Sequence, residues 1–389
     1  MLALRLARGA HPLVQLRRLL VAAASAGTGF LLLCTLAYAL SHPASTGSVL
    51  RLAWCAVPLA ATVYFAVTVA RTDPGTRPRP GLAAIGLGPG RLMVIAAMTT
   101  AVACTLGSMV ALLFFLHLRG DLTGLPFDGA APGLLAADRP LPLPATLTLL
   151  ALVPLAASLA SALVLRPRPA RPGAAAEPSP PGRPAAVPGG LPWGVALLTA
   201  GLAAETYATR GGEESGARMP GGLGGSPIGA LAGWGLTAVG LALAGPALTH
   251  LCGKLLQAVR PGAVRLLAGR VLQQEARRIG RPLGVVCAVA SGAYTASTLY
   301  ADAGRGDSNI GPLTTLGALL VAGCALLTLA TAAVEAKHAR ADTTAALLRL
   351  GAPATLLRGC VALRAGALFA VFGPVTWAVA ELAAMPLTR

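Results

Sequence analysis

Nine apolar stretches, at roughly residues 19–40, 52–70, 93–117, 144–165, 189–208, 227–252, 282–300, 311–334 and 365–384, dominate this chain. Each approaches the about 20 residues that an α-helix needs to cross a bilayer at 1.5 Å rise per residue. Inside lipid, every backbone N–H and C=O must find its partner within the protein, so a spanning segment is a helix or part of a closed barrel. Runs of this length and continuity predict helices. The expected fold is all-α: a polytopic membrane helical bundle of about 9–10 transmembrane helices.

The polar residues agree. Only 12% of the 389 residues are charged and 55% are apolar, with a mean hydropathy of +0.70. A soluble domain carries about 25% charged residues. A secreted, disordered or ordinary cytosolic protein is therefore excluded. The first run follows Arg5, Arg8, Arg17 and Arg18; it is long for a secretory signal and eight more follow, so it is expected to be an uncleaved signal-anchor.

The net charge is +17, and all but two of the 31 basic residues (Lys254 and Lys337) are arginine. Their placement favours topology over nucleic-acid binding. With the N-terminus in the cytoplasm, segments 1–18, 71–92, 166–188, 253–281 and 335–364 hold 24 of the 31 basic residues and five of the 14 acids. The opposite orientation would put this excess outside, against the positive-inside rule. The chain is expected to be multi-pass in a bacterial plasma membrane, with its N-terminus cytoplasmic and its C-terminus outside. The arginine-, alanine-, glycine- and proline-rich composition suggests a high-GC bacterial genome.

Between the runs, 41–51, 118–143, 209–226 and 301–310 are external connections too short for a folded domain, which needs ~40 residues or more. The Gly-rich stretch Gly211–Gly225 has no G-K-[ST] after it and is read as an external loop. Residues 167–190 are Pro-rich and cannot build a core, so they are read as a cytoplasmic linker. The expected organisation is an N-terminal module of four spans (1–166), the linker (167–190), two linking spans (191–252) and a C-terminal module (253–389).

Two cytoplasmic stretches resemble one another. Residues 82–94 read LAAIGLGPGRLMV and residues 345–357 read AALLRLGAPATLL. Gly88 aligns with Gly351, Leu87 with Leu350 and Ile85 with Leu348. Each is expected to be a short apolar helix stopped at glycine, which tolerates a left-handed cap, with a proline just beyond that begins the next helix. A third element, residues 264–284, places Val264, Leu267, Ala268 and Val271 on one helical face and Arg270, Gln274, Arg277 and Arg281 on another. It is expected to lie in the headgroup layer, with Arg270, Arg277, Arg278 and Arg281 on lipid phosphates, before the chain turns into the membrane.

The run from Glu335 to Pro374 resembles the signature cytoplasmic loop and following span of the FtsX-like (MacB-type) ABC transporter permeases. The match rests on Ala346, Leu347, Leu348, Arg349, Leu350, Gly351 and Ala352, one residue shorter between Arg and Leu than the family pattern, and continues through Leu356, Leu357 and Arg358. Residues 266–279 resemble the elbow helix that opens each permease module. The first half repeats the module more faintly, with Gly86, Leu87 and Gly88 where Arg-Leu-Gly would stand. The resemblance implies two repeated permease-like halves, in a layout of four, two and four spans. This chain supplies the first six and then three, without the family's large external domain.

The resemblance further implies that the cytoplasmic loop of each module docks on a separate cytosolic ABC ATPase subunit and transmits its movement outward. Matching positions place the coupling elements at Ile85, Leu87, Gly88 and Arg91, and at Leu347, Leu348, Arg349, Leu350, Gly351 and Ala352. The bland reading of each arginine is topogenic charge. The implied function is a permease subunit for export or extraction of an amphiphilic substrate (lipid, peptide or antibiotic), or for mechanotransmission. Membrane lipids are expected partners, as is a homodimer or a pseudo-dimer within one chain.

No catalytic residue, cofactor or metal site is expected. The sequence lacks H-E-x-x-H, G-x-S-x-G and Walker A motifs, and its seven cysteines fall mostly in apolar runs with no C-x-x-C pair. Acids and histidines are almost missing from mid-span. Glu205, Glu381, His117 and His250 are placed near span ends, where solvation suffices. That weakens an ion-coupled carrier, which remains an alternative together with a non-transporting, permease-derived scaffold. Gly229 and Gly233 form a G-x-x-x-G pair, expected to pack helices within the chain.

Overall fold

A computed structural model of the chain describes residues 12–42, 47–73, 88–121, 129, 132, 135–166, 189–210, 227–258, 262–303 and 311–385. The described residues form eleven helices and no strand: α1 (Pro12–Ser41), α2 (Gly47–Trp54), α3 (Ala56–Thr72), α4 (Pro89–Arg119), α5 (Leu143–Leu165), α6 (Leu191–Arg210), α7 (Pro227–Ala258), α8 (Ala263–Ala303), α9 (Pro312–Ala339), α10 (Ala341–Arg349) and α11 (Ala354–Ala384). The fold is an all-α, polytopic membrane helical bundle. Among the described residues, seven helical segments are long and apolar enough to cross a membrane: α1, Gly47–Thr72, α4, α5, Ala232–Ala258 in α7, α9 and α11. The other two expected spans, 189–208 and 282–300, lie on α6 and α8, which are not among the seven. The linker 167–188, Gly211–Gly225, Ile85 and Leu87 lie outside the described residues.

The chain divides into two compact units, residues 1–169 with 311–324, and residues 170–310 with 325–389. In the first, α1, α3, α4 and α5 alternate in direction. Arg18 near the start of α1 bonds Asp73 just past the end of α3 at 2.6 Å, and Arg119 at the end of α4 bonds the Arg139 carbonyl shortly before α5. Large apolar side chains, among them Leu33, Phe65, Phe115 and Val153, fill the interior, and small or hydroxylic residues stand where the helices approach most closely. A Cβ at Gly107 of α4 would fall 2.2 Å from the Ala22 carbonyl oxygen of α1. Ser25 donates to the Cys104 carbonyl at 2.8 Å, Ser108 to the Leu150 carbonyl at 3.1 Å, and Thr28 and Thr62 share a bond of 2.8 Å. The exposed face of α4 is the more apolar one: Val94, Met98, Val102, Leu106, Val110 and Leu113 line it. An apolar outer face, with close backbone approach and interhelical hydrogen bonds within, is the pattern expected where lipid is the solvent.

The second unit is organised around α7 and α8, which run antiparallel with almost no side-chain thickness between them. Added Cβ atoms at Gly245 and Gly284 would lie 2.0 Å from the Gly280 carbonyl oxygen and 2.2 Å from the Leu241 carbonyl oxygen. On the other side of α7, Gly194 and Gly201 of α6 meet Gly240, Gly233 and Thr237 with comparable closeness. Gly233 therefore packs within the chain, as expected of the Gly229–Gly233 pair. α11 lies alongside α8 in the same direction, with Leu241, Cys287, Phe372 and Val379 forming a buried apolar cluster between α7, α8 and α11.

α8 differs from the sequence expectation. Residues 263–303 form one unbroken helix of 41 residues, with Pro282 in its interior. No separate elbow helix ends before the span. Residues 263–281 are instead held on α7, where Gly269 meets Gly253 and Gln257, and Gln273 donates to Gln257 at 3.3 Å. Pro282 removes one donor from the helix ladder, and such prolines are tolerated in packed membrane helices, where neighbours re-satisfy the freed carbonyl. All seven cysteines are free and buried, as expected for small packing residues.

Candidate coupling site

The element with the strongest sequence signature is also the one least covered by its own unit. α10 is a nine-residue helix with no buried residue. Helices this short are marginal in isolation, so its ends must hold it. At the C-terminus the chain closes a Schellman motif: the Ala352 N–H donates to the Leu347 carbonyl and the Gly351 N–H to the Leu348 carbonyl, both at 3.0 Å. Gly351 adopts φ +87°, a region that favours glycine. Asp342 in the first turn and Arg349 in the last complement the helix dipole. Pro353 then precedes α11.

The root of α10 is held by charge. Arg340, between α9 and α10, places Nε 2.5 Å from Glu275 Oε1 of α8 and donates from the same nitrogen to the Ala336 carbonyl at 3.0 Å. Arg364 of α11 brings Nη1 to 4.0 Å from Glu275 Oε2. The Glu275 side chain is only 11% exposed, and burial pushes its carboxyl above the usual range, with Arg340 and Arg278 pulling the other way. One carboxylate thus ties α8, the α9–α10 junction and α11 together. Nearby, the Cys360 thiol donates to the Val264 carbonyl at 3.5 Å.

The sequence-derived residues fall into three groups. Leu348, Arg349, Leu350 and Gly351 are exposed, Leu350 by 84%, while Leu347 and Ala352 are half-buried. Arg270, Arg277, Arg278 and Arg281 are all exposed on α8, opposite the stripe Ala268, Leu272, Ala276 and Gly280 that is buried. Gly88 and Arg91 open α4, Arg91 exposed. Gly88 does not repeat the geometry of Gly351. It is the N-cap of α4, with φ −67° and ψ 167°, an extended conformation dictated by the proline that follows. The expectation of two equivalent left-handed glycine stops is corrected to one. The two stretches belong to different units.

Glu275, Arg340 and Arg364 were absent from the sequence-derived set. A signal existed: Glu275 is the one acid in segment 253–281, among seven basic residues. Glu205 is a second correction. The sequence placed it at a solvated span end, but it is 3% exposed between α6 and α7. Among the described residues no group of three or more His, Cys, Asp or Glu is arranged to hold a metal ion.

No family model, curated protein or solved structure matches this chain.

Proposed function

We propose that this chain is the membrane permease subunit of an ABC system, driven by a separate cytosolic ATPase. It exports or extracts an amphiphilic substrate (lipid, peptide or antibiotic), or relays ATPase movement to the far side of the membrane. In this reading α10 is the docking helix and the basic end of the second unit faces the cytoplasm of a bacterial cell, with the C-terminus outside. Arg270, Arg277, Arg278 and Arg281 meet lipid phosphates, and two copies or two halves of one chain form the working unit.

The observation that supports it most is the build of α10. Leu348 and the C-cap residue Leu350 are uncovered, yet the two ends of α10 are anchored by the Gly351 cap and the Arg340–Glu275 pair. A helix held at both ends and left bare along its length is suited to receive a partner and pass its displacement to α8 and α11.

The test is purification of the full chain from its host with an associated nucleotide-binding subunit, followed by ATPase and substrate-release measurements in liposomes. Leu350→Glu is expected to abolish association and ATP-dependent release while leaving thermal stability unchanged, because the side chain is solvent-exposed. Asp138→Asn, at the exposed far end of the first unit, is the control. Unchanged association and release in Leu350→Glu would refute the docking assignment.

A further inference from the structure

Glu205 sits on α6, and its side chain turns into the seam with α7. The seam is shaped around it. A Cβ at Gly233 would lie 2.5 Å from Glu205 Cγ, and one at Gly201 would lie 2.4 Å from Thr237 Oγ1, so glycine on both helices clears the volume that the carboxyl and its neighbour occupy. Thr237 donates to Oε1 at 3.4 Å. Oε2 is buried and has no hydrogen-bond partner among the described residues.

Counter-charges are remote among the described residues of the helices packed on α6. On α7 the ionisable groups are His250, Cys252 and Lys254, three turns or more beyond Thr237, roughly 20 Å along the axis. On α11, Glu381 accepts a bond from Tyr294 of α8, and Arg358 and Arg364 belong to the end that meets residues 264–275 of α8. Tyr207, on α6 itself, is exposed. Among the described side chains, an ionised carboxylate here would leave Oε2 without donor or counter-ion, which is strongly unfavourable away from water. A neutral carboxyl accepts the Thr237 bond on Oε1 and carries hydrogen on Oε2.

We propose that Glu205 is a buried proton-binding site in the α6–α7 seam, holding its proton while α6 and α7 are packed and exchanging it when the seam opens to water. The site stands independently of the docking assignment, since it involves neither α10 nor a partner subunit.

The experiment uses the full chain in liposomes and dicyclohexylcarbodiimide, which enters bilayers and reacts with protonated carboxyls. The carboxyl oxygen adds to the carbodiimide carbon, the carboxyl proton passes to a carbodiimide nitrogen, and the adduct rearranges to an N-acylurea without loss of atoms. Mass spectrometry of the fragment containing Glu205 is expected to show modification at neutral pH, with Asp73, ion-paired to Arg18 at 2.6 Å, left unmodified. Modification should follow the protonated fraction, falling about tenfold per pH unit above the titration point of the site. Glu205→Gln, the isostere of the neutral carboxyl, should keep its thermal midpoint and lose modification at this position. The proposal is overturned if the folded protein is not modified at Glu205, if modification is independent of pH, if sodium ions protect Glu205 at constant pH, or if Glu205→Gln unfolds where the wild type is folded.

Discussion

Arg340 Nε lies 2.5 Å from Glu275 Oε1 and bonds the Ala336 carbonyl at the same time. The pair joins the helix that leads into α10 to the basic half of α8. Removing one member leaves the other charge in a largely desolvated position, a change worth about 3 kcal/mol for buried pairs. Arg340→Leu is expected to destabilise the protein by about that amount, and Glu275→Leu with Arg340→Leu by less than the sum of the two single changes. Thermal unfolding of the four proteins in detergent is the check, and strict additivity would show that the pair does not act as a unit.

The same carboxyl supplies a pH dependence with a defined sign. Burial raises its folded value above the ordinary glutamate range, so between the ordinary and the raised value the folded chain binds a proton that the unfolded chain releases. The contribution of Glu275 to stability is fully present below the ordinary value and is lost as pH rises through the raised one. Glu275→Gln should flatten that slope in the unfolding midpoint measured against pH. A slope left intact in Glu275→Gln would assign it to another group.

Gly351 and Gly88 provide a paired comparison. No atom outside the immediate chain lies within 4 Å of a Cβ built on either residue, so only the backbone distinguishes them. Alanine at 351 must adopt φ near +87°, which costs about 1–2 kcal/mol, whereas alanine at 88 fits an extended backbone and should change stability by about 0.5 kcal/mol or less. Hydrogen exchange of the α10 amides should rise in Gly351→Ala and stay unchanged in Gly88→Ala. Equal effects at the two sites would contradict the different roles of these glycines.

Gly107 tests the packing of the first unit. Its α-carbon faces the Ala22 carbonyl so closely that a methyl group would stand 2.2 Å from the oxygen. The next contact is the Ser25 Cβ at 2.8 Å; neither backbone nor Cβ atoms can swing aside, so α1 and α4 must separate. Gly107→Ala is expected to cost about 2–3 kcal/mol, in the range of overpacked cores, with Gly90→Ala, in open space near the start of α4, as the neutral control. A destabilisation no larger than that of the control would mean the helices do not approach this closely.

Much of this architecture is local information. A run of apolar residues declares itself one residue at a time, and so does an arginine-rich connection. All nine expected spans accordingly fall on helices, seven of them long and apolar enough to cross a membrane, and the glycine stop of α10 is visible in Leu350, Gly351 and Pro353. What one strand of residues cannot declare is which faces meet. The elbow was expected to turn at the membrane, but Gly245, Gly253, Gly269 and Gly280 bring α7 and α8 together along their length, and the helix runs on through Pro282. Glu205 looked like a solvated helix end until Gly233 and Gly201 opened a recess for it. Glu275 looked like one acid among many arginines until α9 and α11 delivered Arg340 and Arg364 to it. Composition and periodicity settle which segments are helical, because that depends on each segment's own residues. The depth of a carboxyl and the identity of its partner depend on contacts between residues far apart in the chain, and only the packed helices bring those residues within bonding distance.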